Sequence, residues 1–402
     1  MPVDNDPGRG SAWLTPGVRG IGAASLFADL GHEIPTALLP SFLTSTLGAP
    51  AAALGAVEGL ADGLAGASRF AGGALADDPN RRRATAIGGY TSTAVLTGLI
   101  GVCTQAWQVG ALRAAGWASR GLRVPARNAL LADVVPPAAY GRAYGFERAM
   151  DNLGAVGGPL LALLLVSVVS IRTAILLSII PGLLAVGAIL YAIRHTPRPT
   201  EQERRPLRIV VRPLMQGSLG RLIVGIGVFE IGNIAATLLI LRATELLEPA
   251  HGQHSATQIA LVLYTVYNVA ATVTSIPAGR SADRRGAIPA LALGVGLFAA
   301  AYLIFAVTSA SIALLAAAFV LAGVGIGLVE TAEHAAVATQ APADLRGSAF
   351  GLLAATQSFG NLAASAIVGV VWTAASPTAA LLFPAAAMLI ALVLITRTAT
   401  EG

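Results

Sequence analysis

Long apolar segments follow one another along the sequence, and they restrict the folds available to it. A helix needs about 20 consecutive apolar residues to cross the hydrocarbon core of a bilayer, and twelve segments have about this length. Their approximate bounds are 17–41, 49–73, 84–104, 107–132, 141–167, 172–193, 218–242, 257–278, 287–308, 310–338, 347–373 and 377–396. Hydrophobic residues make up 55% of the chain and charged residues only 12%, which does not suit the surface of a water-soluble protein. The sequence therefore predicts an all-α integral membrane protein with twelve transmembrane helices.

The arginines of the connections lie mainly on one side of this predicted bundle. The connections after segments 2, 4, 6, 8 and 10 contain arginine, whereas those after segments 1, 3, 9 and 11 contain none. Because arginine-rich loops remain in the cytoplasm, we expect a multi-pass protein of the cytoplasmic (inner) membrane with both termini inside. This topology also accounts for the basic net charge of +5, so no binding of nucleic acid is expected.

A polar, proline-rich stretch divides the twelve segments into two sets of six. The predicted units are a cytoplasmic tail (1–16), an N-terminal six-helix bundle (17–193), a cytoplasmic linker (194–217), a C-terminal six-helix bundle (218–396) and a second tail (397–402). The stretch from Glu245 to Ser255 is predicted to be the longest external connection.

Two motifs recur in the second set of segments. The turn Gly73-x3-Asp77 returns as Gly279-x3-Asp283, and Gly141-x-Ala143-Tyr144-Gly145-x8-Gly154 returns as Gly347-x-Ala349-Phe350-Gly351-x8-Gly360. Each second copy begins 206 residues after the first. Because two unrelated motifs share one offset, the sequence predicts two homologous six-helix halves.

The string Gly145-x8-Gly154-x3-Gly158-Pro159 is similar to the antiporter motif in the fifth transmembrane helix of drug/proton antiporters of the major facilitator superfamily. Gly154 and Gly158 would share one helix face and let a neighbouring helix approach closely. With the twelve segments and the recurring turn, this string makes the whole chain resemble a major facilitator transporter. The resemblance implies two parallel halves that rock about a central site.

The resemblance also assigns a gating role to the recurring turn. The residues concerned are Gly73, Asp77, Arg81, Gly279, Asp283 and Arg284. In this family the carboxylate of the first turn belongs to a cytoplasmic charge latch, and the second-half copy is usually weaker. Asp77 is therefore expected to matter more than Asp283.

Ionisable side chains within the apolar segments are costly to place in a bilayer, so their positions are informative. Segments 3, 6, 9 and 12 have none in their interiors, which suits a position against lipid. The candidates for proton coupling are Glu33, Asp29, His32, Asp62 and Glu330. The candidates for a substrate cavity are Arg120, Arg123, Asp151, Glu230, Asn233, Glu333 and His334. The alternative is that these groups pair as buried salt bridges, which we favour for Glu147, Arg148 and Arg127.

Asp29 and Glu33 form the most specific candidate for coupling. They lie four residues apart on one face of the first segment, within the hydrocarbon depth. Two carboxylates this close repel each other when both are ionised, so one should hold a proton near neutral pH. Glu33 is predicted to be the exchanging acid and Asp29 its partner, with Asp62 and Glu330 in reserve.

The predicted function is proton-coupled export of a small molecule by a secondary active transporter. No soluble enzyme signature and no Gly-Lys-Ser/Thr phosphate loop occur, so an ion gradient rather than ATP is expected to supply the energy. The alternatives are proton-coupled nutrient uptake, export of a divalent metal, suggested by the His32/Glu33 and Glu333/His334 pairs, and a non-transporting receptor or scaffold. We expect the chain to be a monomer in the lipid bilayer without a cofactor, a resident metal or a disulfide, since Cys103 is the single cysteine.

Overall fold

The computed structural model describes residues 13–196 and 207–400, and long helices make up most of this part of the chain. Ten residues of the predicted linker (197–206), the first twelve residues of the N-terminal tail and the last two residues of the chain lie outside these ranges. The helices are α1 (Pro16–Ser41), α2 (Ala51–Ala76), α3 (Pro79–Leu99), α4 (Ala106–Asp133), α5 (Tyr140–Val166), α6 (Ile171–Leu177), α7 (Ile179–Arg194), α8 (Gly217–Gly232), α9 (Ala236–His251), α10 (Gln253–Arg285), α11 (Ala287–Val307), α12 (Ile312–Gln340), α13 (Arg346–Ala374) and α14 (Pro377–Thr400).

The fourteen described helices correspond to the twelve predicted segments. Ten segments form one helix each, and two segments are each divided into two helices. Segment 6 divides into α6 and α7 at Ser178, and segment 7 divides into α8 and α9 at residues 233–235. Nine of the described helical stretches are long and apolar enough to cross a membrane by length and composition alone. The other three long helices, α1, α2 and α4, carry ionisable side chains that lower their hydropathy. They pack beside the nine in the same bundle.

The break in segment 7 lies deep in the protein, and side chains satisfy its backbone groups. The hydroxyl oxygen of Tyr302 accepts from the backbone N–H of Ile234 at 3.3 Å, and that of Ser365 accepts from Ala235 at 3.0 Å. The amide of Asn361 donates to the carbonyl of Asn233 at 2.8 Å. A membrane helix tolerates an interruption when polar groups are supplied in this way.

Two predicted boundaries are wrong around this region. Helix α9 continues to His251 and α10 begins at Gln253. The stretch predicted as the longest external connection is therefore almost entirely helical. Only Gly252 lies between the two helices, with φ of 73°, a left-handed conformation that glycine adopts without strain.

The helices form two sets, α1–α7 and α8–α14, which meet along two main seams. Helix α2 packs against α13, and α5 packs against α10. Helices α3, α7, α11 and α14 make their main contacts within their own set. The peripheral position expected for segments 3, 6, 9 and 12 agrees with these contacts.

The two repeated motifs meet crosswise at one end of the seams. Gly73 of the first turn motif packs on the second copy of the helix-entry motif, where an added Cβ would lie 2.9 Å from the Gly347 carbonyl oxygen. Gly279 packs in the same manner on Gly141, where an added Cβ would overlap the backbone. Each half thus contributes one copy of each motif to a joint with approximate two-fold symmetry. We call this end of the molecule the latch end.

Candidate functional site

Two carboxylates hold the halves together at the latch end. Asp77 follows α2 and accepts from the backbone N–H of Ser348 at 2.8 Å and from its hydroxyl, in the first turn of α13. Asp283 on α10 accepts from the backbone N–H groups of Gly141 at 2.6 Å and Arg142 at 3.2 Å, in the first turn of α5. Each carboxylate therefore satisfies free N–H groups at the start of a helix in the opposite half, where the helix dipole favours negative charge.

The two latches differ in their remaining partners. Asp283 also forms an ion pair with the Arg142 side chain, with Nε 2.6 Å from its carboxylate. Burial raises the pKa of Asp77, and the two bonds from Ser348 act in the opposite direction. The expectation that the second-half latch is weaker therefore has no support in these contacts, because Asp283 has the additional charged partner.

The basic residues predicted for gating do not lie in these joints. Among the described residues Arg81 forms an ion pair only with Asp78 of its own turn, at 3.6 Å, and Arg284 is exposed. Arg82 is the buried arginine of the turn, and it forms an ion pair with Asp133 at the end of α4. Arg346 at the start of α13 also approaches Asp133, at 3.9 Å. The run of three arginines in the sequence does not indicate which of them turns inward.

Three rings close the centre of the joint next to these latches. Tyr144 and Phe350 occupy equivalent positions in the two repeats, and their ring centroids are 5.7 Å apart. His334 of α12 lies 5.8 Å from the Tyr144 ring and 6.0 Å from the Phe350 ring. The Tyr144 hydroxyl donates to the carbonyl of Asn128 at 2.7 Å. His334 also lines a cavity between the halves, so the three rings connect the latch end to the wall of this cavity.

The cavity has a volume of about 550 Å³, within the usual range for small-molecule sites. Helices α2, α4, α5, α12 and α13 and the break between α8 and α9 contribute to its wall. The ionisable residues and His334 in this wall are Asp62, Arg69, Arg120, Arg123, Arg127, Arg148, Asp151, Glu230, Glu330 and His334. Polar uncharged groups come from Asn233, Gln357, Ser358, Asn361 and Ser365.

Most of the predicted cavity residues do line this space, but Glu333 lies behind its wall. Glu333 is fully buried and accepts from the side chain of Gln357. Asp62 and Glu330, which were predicted only as coupling candidates, face the cavity directly. Arg69 and Gln357 were not predicted, because one polar residue in an apolar helix does not show which neighbour it faces.

The other coupling candidates lie behind the first-half wall and connect to it through a stack of side chains. Asp29 accepts from Arg120 at 3.2 Å. His32 Nε2 lies 3.5 Å from Glu33, and the His32 ring lies 4.1 Å from the ring of Trp117. Trp117 also donates its indole N–H to Asp62 at 2.8 Å. A change of charge at Glu33 is therefore connected to the cavity by direct contacts.

The predicted pairing around Glu147 is confirmed. Its fully buried carboxylate lies 2.7 Å from the guanidinium of Arg127 and 2.7 Å from that of Arg148, and it accepts from Ser25. Asp151 completes the cluster, 3.4 Å from Arg127 and 3.2 Å from Arg148. The cluster joins α1, α4 and α5, so its acids and arginines neutralise one another within the first half.

The close packing predicted for the glycine string of α5 is also present. Gly154 and Gly158 face α1, and an added Cβ at Gly154 would lie 3.0 Å from the Asp29 side chain. At Gly158 an added Cβ would overlap the side chain of Glu33. The string that resembles the antiporter motif therefore packs directly against both acids of α1.

Comparisons with known proteins agree with this architecture. The model of the Major Facilitator Superfamily matches residues 21–246 and again residues 236–401. The chain is similar to an uncharacterised MFS-type transporter of Methanocaldococcus jannaschii, with 27% identity over 365 residues that cover 89% of each chain.

Solved structures of the same fold have low sequence identity to this chain. One is a bacterial homologue of the iron transporter ferroportin in an outward-facing state, with a TM-score of 0.75, 15% identity and coverage of 96% of this chain and 100% of that one. Another is the human organic anion transporter MFSD10, with a TM-score of 0.73, 16% identity and coverage of 94% and 99%.

Proposed function

The chain belongs to the Major Facilitator Superfamily of secondary transporters, and we propose that it exports a small molecule in exchange for protons. The observation that carries the proposal is the packing of the antiporter-like string on the acids of α1. Gly158 lies against Glu33 and Gly154 lies against Asp29. A motif that resembles one found in proton antiporters thus borders the residues best suited to exchange a proton.

The latch end is proposed to face the cytoplasm. The arginine-rich turns, among them Arg81–Arg83 and Arg284–Arg285, lie at this end, and such turns stay on the cytoplasmic side. The structure described here is then closed to the cytoplasm, and alternating access would open the latch. A cysteine in the linker that reacts with an impermeant reagent from outside intact cells would contradict this orientation.

Glu33 is the proposed exchanging acid, because its surroundings differ from those of Asp29. The Asp29 carboxylate is buried and held by Arg120. In the described part of the chain Glu33 has only His32 within ion-pair distance, and a quarter of its side chain is exposed. A carboxyl group without a permanent cationic partner can accept a proton at lower cost. Its charge would then act on the cavity through His32 and Trp117.

The alternatives have less support from the geometry. In metal export, His32 and His334 would each be ligands, but they belong to separate halves. No group of three metal-ligating side chains occurs among the residues that the structure describes. Proton-coupled uptake would use the same fold, and it differs from export in the direction of the coupled flows.

Proton movement in proteoliposomes distinguishes exchange from uptake. Purified protein is reconstituted with a pH-sensitive dye in the lumen, and drugs, sugars, amino acids and divalent metals are added outside. Exchange predicts that a transported compound makes the lumen more alkaline, because each entry is coupled to proton exit. A more acidic lumen would show symport and contradict the proposal, as would transport of a compound with no change in pH. Protein-free liposomes are the control for passive leakage.

A further inference from the structure

The two halves contribute opposite charges to the wall of the cavity. The first-half wall contains five arginines and two aspartates, namely Arg69, Arg120, Arg123, Arg127, Arg148, Asp62 and Asp151. The second-half wall contains Glu230 and Glu330, with no arginine among the described residues that line the cavity. A ligand that contacts both halves therefore meets cationic groups on one side and carboxylates on the other.

Most of these arginines already have partners within the protein. Arg127 and Arg148 pair with Glu147 and Asp151, as described above. Arg120 pairs with Asp29. The side chain of Arg69 crosses to the second half and donates to the carbonyl of Ala354. Arg123 is the remaining arginine of the first-half wall.

Arg123 has no carboxylate partner among the described residues. Its side chain is only 3% exposed, and its guanidinium lies over the ring of Tyr90, 4.1 Å from the centroid. Nε and Nη1 are buried and find no hydrogen-bond partner in the described part of the chain, so a ligand in the cavity reaches them only when the side chain leaves the ring of Tyr90. A buried guanidinium with unpaired N–H groups is costly unless an anion completes its contacts. Its planar donors suit a carboxylate or a phosphate.

The acids of the opposite wall are similarly short of partners. Glu230 accepts from the side-chain amide of Asn233 at 3.0 Å. Across residues 13–196 and 207–400, neither Glu230 nor Glu330 has a cationic side chain within 4 Å. Asn233 stands at the break between α8 and α9, so Glu230 lies next to the interruption in this helix.

We propose that the substrate is a small zwitterion whose anionic group binds Arg123 and whose cationic group binds Glu230 and Glu330. The proposal rests on the transport function proposed above and names the substrate class of that site. A zwitterion would supply each wall with the charge that it lacks. Since the two walls belong to different halves, binding would also draw the halves together around the ligand. A substrate must do this to stabilise the state in which it is enclosed between them. A simple cation would leave Arg123 unpaired, and a simple anion would leave the glutamates unpaired.

Binding to purified protein in detergent tests this assignment without a proton gradient. Amino acids and dipeptides are compared with their carboxamides, which carry only the cationic group, and their N-acetyl forms, which carry only the anionic group. Thermal stabilisation selects compounds, and calorimetry measures their Kd at neutral pH. We expect at least one zwitterion to bind roughly tenfold or more tightly than both of its blocked forms, because each blocked form loses a charge-assisted contact.

Variants then assign the two ends of the ligand. Arg123→Gln should reduce the affinity for the zwitterion to about that of its carboxamide, and Glu330→Gln to about that of its N-acetyl form. The exposed Arg19 provides a matched control, since Arg19→Gln should bind as the wild type does. If Arg123→Gln is not monodisperse, the Glu330→Gln comparison decides.

Three results would overturn the zwitterion assignment: equal binding of a carboxamide, equal binding of an N-acetyl form, or no binding by any zwitterion of the panel. None of them bears on proton exchange, which the proteoliposome assay judges separately. A zwitterion that binds tightly but moves no protons would contradict the proposed exchange and leave the substrate class intact.

Discussion

The four arginines of α4 follow one helix face, yet each has a different environment. Arg113 pairs with Glu58, Arg120 with Asp29 and Arg127 with Glu147, whereas Arg123 lies on the ring of Tyr90. Their partners come from α1, α2, α3 and α5. Their spacing of seven, three and four residues places them on one face of a helix, but spacing within one helix carries no information about side chains that come from other helices. For this reason the sequence identified the acidic and basic candidates, but it did not show which acid pairs with which arginine.

Glu147 offers the clearest test of a structural charge at the residue scale. Its carboxylate is fully buried between Arg127 and Arg148. Glu147→Gln removes the negative charge and leaves two buried arginines with only Asp151 to balance them. We expect a loss of about 3–5 kcal/mol in stability, measured as a lower unfolding temperature in detergent. Glu248 is exposed on α9, and Glu248→Gln should unfold at the wild-type temperature. Equal unfolding temperatures for all three proteins would show that the Glu147 cluster does not stabilise the fold.

At the scale of helices, apolar length predicted where each element lies but not where it is interrupted. α1 was predicted at 17–41 and is Pro16–Ser41. α10 was predicted at 257–278 and extends over Gln253–Arg285, because its charged last turns lie beyond the apolar core. The breaks at Ser178 and at residues 233–235 occur within apolar sequence, and the second depends on Tyr302, Asn361 and Ser365 from distant helices. A local pattern cannot show such partners.

Removing the charge of either latch carboxylate, Asp77 or Asp283, is expected to destabilise the closed joint between the halves. Asp77→Asn removes a charge-assisted acceptor for Ser348 and should weaken the closed latch by about 1–3 kcal/mol. Asp283→Asn should weaken it at least as much, because Asp283 also pairs with Arg142. In a Cys103→Ser background, a cysteine at the cavity residue Ser358 should react more slowly from outside in both variants. Unchanged labelling in both would rule out a latch at these positions.

The glycine string of α5 predicts a steric effect. Gly158→Leu would push α5 away from α1 at Glu33, so transport should be lost while the protein is still expressed and inserted. Gly187 is a matched control, because no atom lies within 4 Å of an added Cβ at this position of α7. Gly187→Leu should transport normally. Full activity of Gly158→Leu would make the resemblance to the antiporter motif coincidental.

At the scale of the whole molecule, the internal repeat explains the joint between the halves. The motif copies pack crosswise, with Gly73 on Gly347 and Gly279 on Gly141. The offset of 206 residues predicted two homologous halves, and the structure has two sets of helices, α1–α7 and α8–α14, that meet along two seams. The sequence could not predict which copies meet, because that contact depends on the arrangement of the halves in space. The resulting closed joint leaves the charged cavity as the space between the halves in which the proposed substrate would bind.

The proposed exchange of a proton at Glu33 drives export, and a comparison of variants in proteoliposomes tests this coupling. Two activities are measured for a transported compound: its uphill accumulation under an imposed pH gradient, and its exchange across the membrane without a gradient. Both are compared in the wild type, in Glu33→Gln and in the exposed-site control Glu248→Gln. Glu33→Gln is expected to lose uphill accumulation and keep exchange, because the alternating halves still carry substrate without a titrating acid at this position. Uphill accumulation by Glu33→Gln with the wild-type dependence on pH would contradict it.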